Sequence, residues 1–174
     1  NNAALTIGGA LASGGAVALS HGRIVTILSA GNDAAKSFTV TGTDINGEAQ
    51  TESITGANAG TATGTKFFKT ISGISAVGNP AGNVSAGVNT SAADVIFAGR
   101  SRLKGIYLTS TATAGTVDFL NTSPSGTSIM GLSSVGDADA TRDVVIPDEG
   151  VLFDDGIYIE YTVSTFLTMT VFHA

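Results

Sequence analysis

Apolar and polar residues alternate most regularly in the C-terminal segment 142–172. Within this segment, the stretches 157–163 and 167–172 place an apolar residue at every second position, which is the pattern of β-strands with one buried face. A hairpin whose three-residue loop spans 164–166 would turn both apolar sets to the same side, because opposed residues in a hairpin share a face. The pattern therefore predicts an antiparallel hairpin that packs one face against a core.

A second alternating region surrounds the turn residues Asn46 and Gly47. A two-residue turn at this point would mix apolar and polar side chains on each face of the hairpin. A three-residue loop that begins at Ile45 instead places Phe38 opposite Ile54, so that the apolar residues share one face. This loop requires Gly47 in the left-handed conformation of a G1 bulge. The sequence therefore predicts a positive φ at Gly47.

Many other short alternating segments are separated by turn residues, and no window shows helical periodicity. These features predict an all-β protein with an antiparallel β-sandwich or jelly-roll-like fold. The expected organisation is an extended N-terminal arm over 1–22, an N-terminal β unit over 23–90 and a C-terminal β-sandwich unit over 91–174. One continuous sandwich is the alternative. The strand predicted over 116–120 is expected to pair with the strand predicted over 102–110.

The distribution of charge differs between the two halves of the chain. Only 13% of the 174 residues are charged, against a usual value of about 25%, which indicates a surface that is partly covered in an assembly. The net charge of −6 falls entirely on residues 91–174, whereas residues 1–90 are neutral. This asymmetry favours a neutral half that a partner covers and an acidic half in solvent, with chance variation as the alternative. The chain has no basic stripe for nucleic acid and no apolar run of about 20 residues for a membrane.

The N-terminal segment 1–20 is too apolar for a simple solvated tail, and it predicts an arm that orders on a partner, with a disordered segment and a short first strand as the alternatives. The residues predicted to form this partner interface are Leu5, Ile7, Leu11, Val17 and Leu19.

Candidate catalytic residues are few. The chain has no cysteine, and its two histidines, His21 and His173, stand outside any motif. A surface or structural histidine is the expected role for both. Asp148 and Glu149 form an adjacent carboxylate pair, but the aromatic platform typical of a glycosidase site is missing because the chain has no tryptophan. We therefore expect no enzymatic activity and no cofactor.

Two further acidic clusters raise the question of a metal. Asp137, Asp139 and Asp143 could surround a calcium ion, but their spacing lacks the glycine and terminal glutamate of an EF-hand. A solvated acidic loop is therefore favoured over a cation site. The segment 154–156, Asp-Asp-Gly, is typical of a turn. No metal is expected at either cluster.

Two parts of the chain resemble known virion proteins. The segment 24–74, with its glycine turns and threonine-rich strands, resembles a module of tailed-bacteriophage virion proteins. The segments 102–119, 146–163 and 167–172 together resemble β-rich head-surface proteins of short-tailed phages. The resemblance implies a capsid decoration (cement) subunit that binds the major capsid protein on the head surface of the virion. It also implies assembly in the host cytoplasm and a homo-oligomer, with a trimer expected.

Two alternatives remain open from the sequence. The chain could be a tail, neck or fibre-associated virion protein. It could also be a carbohydrate-binding or adhesion module, because the β-sandwich architecture hosts many such functions.

Overall fold

A computed structural model describes residues 2–8, 10–138 and 140–174 of the chain. The described residues form β-strands and no helices, and the strands pair antiparallel, consistent with a β-sandwich. The strands are β1 (Asn2–Ala4), β2 (Ala12–Ser13), β3 (Ala16–Ser29), β4 (Ser37–Thr43), β5 (Ala49–Thr55), β6 (Thr61–Val77), β7 (Val84–Phe97), β8 (Ser101–Ser110), β9 (Gly115–Asn121), β10 (Ser128–Ser134), β11 (Thr141–Val145), β12 (Val151–Phe153), β13 (Ile157–Thr162) and β14 (Phe166–His173). The predicted all-β fold class is confirmed.

The chain divides into two compact units, Asn1–Asn89 and Thr90–Ala174. Each unit has a separate hydrophobic core. The long strand β7 contributes its first half to the first unit and its second half to the second unit.

The first unit is built on the strand order β7–β3–β6–β4–β5. β1 pairs with the end of β6, and β2 pairs with the start of β3. The apolar side chains of β3, β4, β5 and β6 collect on one face, as alternation requires. The core consists of Val25, Ile27, Phe38, Val40, Ile54, Phe68, Ile71, Ile74 and Ala76.

The hairpin of β4 and β5 has the register predicted from its turn. Phe38 lies opposite Ile54, and both side chains are buried. The Asp44 amide donates a hydrogen bond of 2.9 Å to the Glu48 carbonyl, which closes a three-residue loop. Gly47, the last residue of this loop, has a φ of 88°. The predicted loop length, register and backbone conformation are all confirmed.

The second unit is a sandwich of two sheets. One sheet has the order β10–β9–β13–β7. In the other, β14 and β11 both pair with the segment 105–109 of β8 and therefore occupy its two opposite edges. β12 continues the β11 edge by pairing with 101–103. Both sheets contribute to one core of Leu103, Ile106, Leu108, Val117, Phe119, Phe153, Ile157 and Ile159.

The hairpin predicted for the last two strands is wrong. β13 pairs with β9 and β7 in the first sheet, whereas β14 pairs with β8 in the second. The connection passes between the sheets through the buried Thr165, whose amide donates a 3.0 Å hydrogen bond to the Thr162 carbonyl. Alternation indicates which face of a strand is buried but not which strand lies beside it. The apolar residues of both strands do pack on one core, but from opposite sheets.

The predicted pairing of the strand over 116–120 with the strand over 102–110 is also wrong. β9, which contains 116–120, pairs with β10 and β13. β8 and β9 face each other across the core instead of lying side by side. A connection of four residues, 111–114, is therefore long enough to change sheets.

Candidate functional site

The first unit carries an open apolar groove with a volume of about 480 Å³. Residues of the N-terminal segment, β3, β6 and the start of β7 line it. All five residues predicted as a partner interface, Leu5, Ile7, Leu11, Val17 and Leu19, are among the lining residues. The structure therefore brings the five side chains together on one surface.

Backbone pairing holds the N-terminal segment at the groove. β1 pairs with β6, and the Leu5 amide donates a 2.9 Å hydrogen bond to the Ile74 carbonyl. Leu5 and Ile7 consequently pack against the core, as do Val17 and Leu19 on β3. The Leu11 side chain remains 61% exposed. Among the five residues, Leu11 therefore has the most exposed surface for a partner to bury.

The groove has no charged lining residue. Its polar side chains are Thr6 and Ser85, and its other lining residues are apolar or glycine. Such a surface suits an apolar segment of another protein, because the hydrophobic effect stabilises contact between apolar surfaces without requiring specific polar partners. It offers nothing to hold a metal ion or an anion. Sequence reasoning missed the residues 84–88 on the groove, because β7 lies far away along the chain.

Glu52 is a buried carboxylate that sequence reasoning also missed. Its side chain is on the apolar face of β5, opposite Val40, and is 9% exposed. The carboxylate accepts hydrogen bonds from the Thr65 amide at 2.5 Å, the Thr65 hydroxyl at 3.0 Å and the Lys66 amide at 3.3 Å. Glu52 thereby provides a hydrogen-bond acceptor for two successive amides of β6. This role is structural.

Asp33 is a second buried carboxylate in the first unit. One carboxylate oxygen, Oδ1, accepts a 2.7 Å hydrogen bond from the Ala81 amide. The other oxygen, Oδ2, is buried without a partner among the described residues. The Asp33 amide donates to the Ala57 carbonyl, so the residue ties together three loops of the unit. Within the described part of the chain, Asp33 belongs to no group of three histidine, cysteine, aspartate or glutamate side chains that could hold a metal ion.

The predicted aspartate cluster does not form a cation site among the residues that can be assessed. Asp137 and Asp143 are exposed, and Asp143 lies on β11 opposite Tyr107. Asp139 lies outside the described residues. Across residues 2–8, 10–138 and 140–174, no three metal-ligating side chains come together.

Three further acidic residues, at 149, 154 and 155, take part in exposed ion pairs and a loop contact. Glu149 pairs with Arg102 at 3.2 Å, and Asp154 pairs with Arg100 at 3.4 Å. The Asp155 amide donates a 3.1 Å hydrogen bond to the Asn121 side chain. Surface pairs of this kind contribute only about 0–1 kcal/mol each.

The two histidines are on different units. His21 lies on β3 and is half-buried. His173 is exposed at the end of β14, where its ring centroid lies 5.1 Å from that of Phe97. Ser101 is within hydrogen-bonding distance, 3.3 Å, of His173 Nδ1.

Glu160 is a titratable group whose pKa departs from its ordinary value. It lies directly opposite Asp118 in the β13–β9 pair. Burial, with a further contribution from the Asp118 carboxylate, raises the pKa of Glu160 above its ordinary value. The folded state therefore binds this proton more tightly than the unfolded state. The resulting stability is present below the unfolded-state pKa and is lost as the pH rises through the folded-state pKa.

We expect Glu160→Gln to raise the stability of the second unit at pH 7 by about 0.5 kcal/mol, because it removes a partly buried charge together with its repulsion of the directly opposed Asp118 carboxylate. The gain is modest because solvent screens a half-exposed group. It should vanish below about pH 4, where the wild-type carboxyl is protonated in both states. Urea unfolding from pH 3 to pH 8 measures the change, with the exposed Glu48→Gln as the control. A gain that is constant over this range would contradict the assignment.

No protein-family model, curated protein or solved structure matches the chain. The described residues contain no apolar helix of the length that spans a bilayer.

Proposed function

We propose that this chain is a structural virion protein, a capsid decoration subunit that binds the outer surface of a tailed-bacteriophage head. The observation that carries the proposal is the groove of the first unit. Five apolar side chains, selected from the sequence as a partner interface, converge there on one uncharged surface. The resemblance of the strands to phage head-surface proteins implies the major capsid protein as the partner.

The charges of the two units support attachment through the first unit. Residues 1–89 carry four acidic and four basic residues, whereas residues 90–174 carry ten acidic and four basic residues. Covering the groove removes no charged side chain from water, because no charged residue lines it, and therefore costs little desolvation energy. The acidic second unit would remain hydrated on the outside of the particle. A homo-oligomer, with a trimer as the expected state, follows from the resemblance.

The chemistry of the described residues fits a binding protein better than an enzyme. Carboxylates are hydrogen-bonded within loops, ion-paired at the surface or opposed across strands, and none faces the groove. Attachment would depend on apolar burial, which needs no reactive group.

Co-sedimentation with bacteriophage heads tests the proposal. The full chain is mixed with expanded heads and, separately, with unexpanded heads that lack it. We expect binding to the heads and about a tenfold loss of affinity, or 1.4 kcal/mol, for Leu11→Asp, because a charge would then enter an apolar contact. No sedimentation with either form of head would reject the proposal.

Leu28→Asp is the matched control. Leu28 is 50% exposed on β3, close to the 61% of Leu11, but it does not line the groove. Its replacement should leave head binding unchanged. Equal losses from both variants would indicate a nonspecific effect and count against the groove. Electron microscopy of the intact particle would reveal whether the subunit lies on the head or, contrary to the proposal, on the tail or neck.

A further inference from the structure

β14 is an edge strand of the second unit. Among the described residues it pairs with β8 alone, so one of its edges has no strand beside it. The segment 166–172 contains neither a charged residue nor a proline. Natural sheets usually protect exposed edges with charges, prolines or bulges, because unpaired backbone groups invite pairing with another chain. A register shift next to Leu167 is the one such irregularity between Phe166 and Phe172.

The hydrogen bonds of β8 determine which of its residues face β14. The Ser110 amide donates to the Ala140 carbonyl at 2.9 Å, and the Ile146 amide donates to the Lys104 carbonyl at 2.9 Å. Bonds alternate from side to side along an antiparallel strand. Even-numbered residues of β8 therefore bond towards β11, and the odd-numbered residues of 105–109 bond towards β14.

The same alternation fixes the direction of the backbone groups on β14. The residues opposite 105, 107 and 109 are Phe172, Thr170 and Thr168. Their amide and carbonyl groups therefore form hydrogen bonds with β8. Met169 and Val171 lie between them. Their N–H and C=O groups consequently point away from β8, towards the open edge.

The sequence of β14 is nearly symmetric about Met169. It is Phe-Leu-Thr-Met-Thr-Val-Phe over 166–172. Two antiparallel copies centred on Met169 would place Thr168 opposite Thr170 and Leu167 opposite Val171. Threonine pairs and aliphatic pairs are both favourable across strands. A two-fold contact requires this self-complementarity. If one residue of the first copy lies opposite a different residue of the second copy, the same pair also occurs with the two copies exchanged.

We propose that β14 pairs antiparallel with β14 of a second copy of this chain, with Met169 opposite Met169 on the two-fold axis. The backbone and the sequence select the same register. With the axis on Met169, the N–H and C=O groups that point to the open edge of one copy form hydrogen bonds with those of the other copy. An axis through Thr168 or Thr170 would instead oppose groups that already bond to β8.

Charge and exposure both favour a second copy as the occupant. A two-fold axis brings identical surfaces together, so a charged edge would repel itself, and the segment 166–172 has no charge. Leu167 is 58% exposed and Phe172 is 53% exposed at the two ends of the segment. Stable interfaces bury about 800 Å² per partner, more than one pair of short strands supplies, so a dissociation constant on the order of micromolar is expected. The contact does not depend on the proposed function or on the expected trimer.

Charge substitutions on the exposed face of β14 test the register. Thr168 and Thr170 are both exposed. Combining Thr168→Lys with Thr170→Lys would place lysines opposite each other at two points and should weaken association about tenfold or more. Combining Thr168→Lys with Thr170→Glu would place lysine opposite glutamate at both points and should restore it. A parallel pairing would place like charges opposite each other in both variants, because each residue would then meet its own copy, so the lysine–glutamate variant would not restore association.

Sedimentation velocity over about 1–200 µM, a range that brackets the expected dissociation constant, gives the association state of each variant. Circular dichroism melting checks that the variants remain folded. Wild-type chain that stays monomeric throughout would overturn the proposal. An oligomer whose size and affinity are the same in the two-lysine variant would also overturn it.

A disulfide provides a second, independent readout. The described residues include no cysteine, and the sequence has none, so a single introduced thiol is unambiguous. Hydrogen-bonded residues opposed on antiparallel strands have Cα atoms about 5.5 Å apart, within the range of about 4.4–6.8 Å for disulfides. Met169→Cys should therefore yield covalent dimer on mild oxidation. Val145→Cys, 78% exposed on β11, is the control and should not. Equal yields from both would contradict the two-fold axis.

Discussion

Replacing Gly42 by alanine is expected to lower the free energy of unfolding of the first unit by at least about 3 kcal/mol. A Cβ atom at this position would lie 1.9 Å from the Thr70 carbonyl oxygen and 3.0 Å from the Ile71 Cα. Both atoms belong to the backbone of β6, so no side-chain rotation can relieve the overlap. The strands β4 and β6 would have to separate where their register shifts between Thr41 and Gly42.

Gly73→Ala is the matched control for this substitution. Gly73 lies opposite Thr41 at the same irregularity, but a Cβ there would have no atom within 4 Å. Its replacement should change stability by no more than about 0.5 kcal/mol. Urea unfolding followed by circular dichroism gives both values, and hydrogen exchange localises the loss. Similar losses of stability for the two variants would contradict the assignment of the Gly42 effect to the overlap with the β6 backbone.

Replacing Glu52 by alanine is expected to destabilise the first unit by about 2–3 kcal/mol, because the amides of Thr65 and Lys66 would lose a charged acceptor. The carboxylate is 9% exposed, so water replaces it poorly. Glu52→Gln keeps one oxygen acceptor and should lose about half as much. The measurement is the urea midpoint with its slope at pH 7.

Glu48→Ala is the control for Glu52. Glu48 lies at the turn of the same hairpin and is exposed, and its backbone carbonyl rather than its side chain closes the loop. Its replacement should have little effect. An equal loss for Glu48→Ala would refute the assignment of the stability to the carboxylate of Glu52.

Local chemistry allowed the β4–β5 hairpin to be predicted from the sequence. The Asn46-Gly47 turn limited the possible loops, and the requirement that Phe38 and Ile54 share a face selected one register. The same register places Glu52 on the apolar face opposite Val40. A charged residue on the apolar face of a strand indicates that buried groups form hydrogen bonds with it, so the role of Glu52 could have been predicted from the sequence.

The partners of the last two strands could not be predicted in the same way. Apolar and polar residues alternate over 167–172, and this pattern is compatible with two arrangements of β14. The strand can lie beside β13 or face it across a core, because both arrangements bury the same side chains. The segment between Val163 and Thr165 contains no glycine or asparagine that would fix a turn type. The choice between the arrangements is made by β8, which is distant in sequence.

The groove of the first unit was partly predictable. Leu5 and Ile7 are conspicuous because they are apolar in a segment that lacks strong strand or helix signals. The wall formed by residues 84–88 was not predictable, because it depends on the position of β7 beside β3. Sequence pattern thus identified one side of the surface, and tertiary structure supplied the other.

The position of β8 has a consequence for synthesis of the chain. Every strand that pairs with β8 follows it: β11, β12 and β14. On a ribosome, the segment 111–140 must be added before the first of these neighbours begins to emerge. At about 5–20 residues per second this takes roughly 2–6 s, during which Leu103, Ile106 and Leu108 have no sheet to join. The nascent second unit therefore passes through an interval in which aggregation competes with folding.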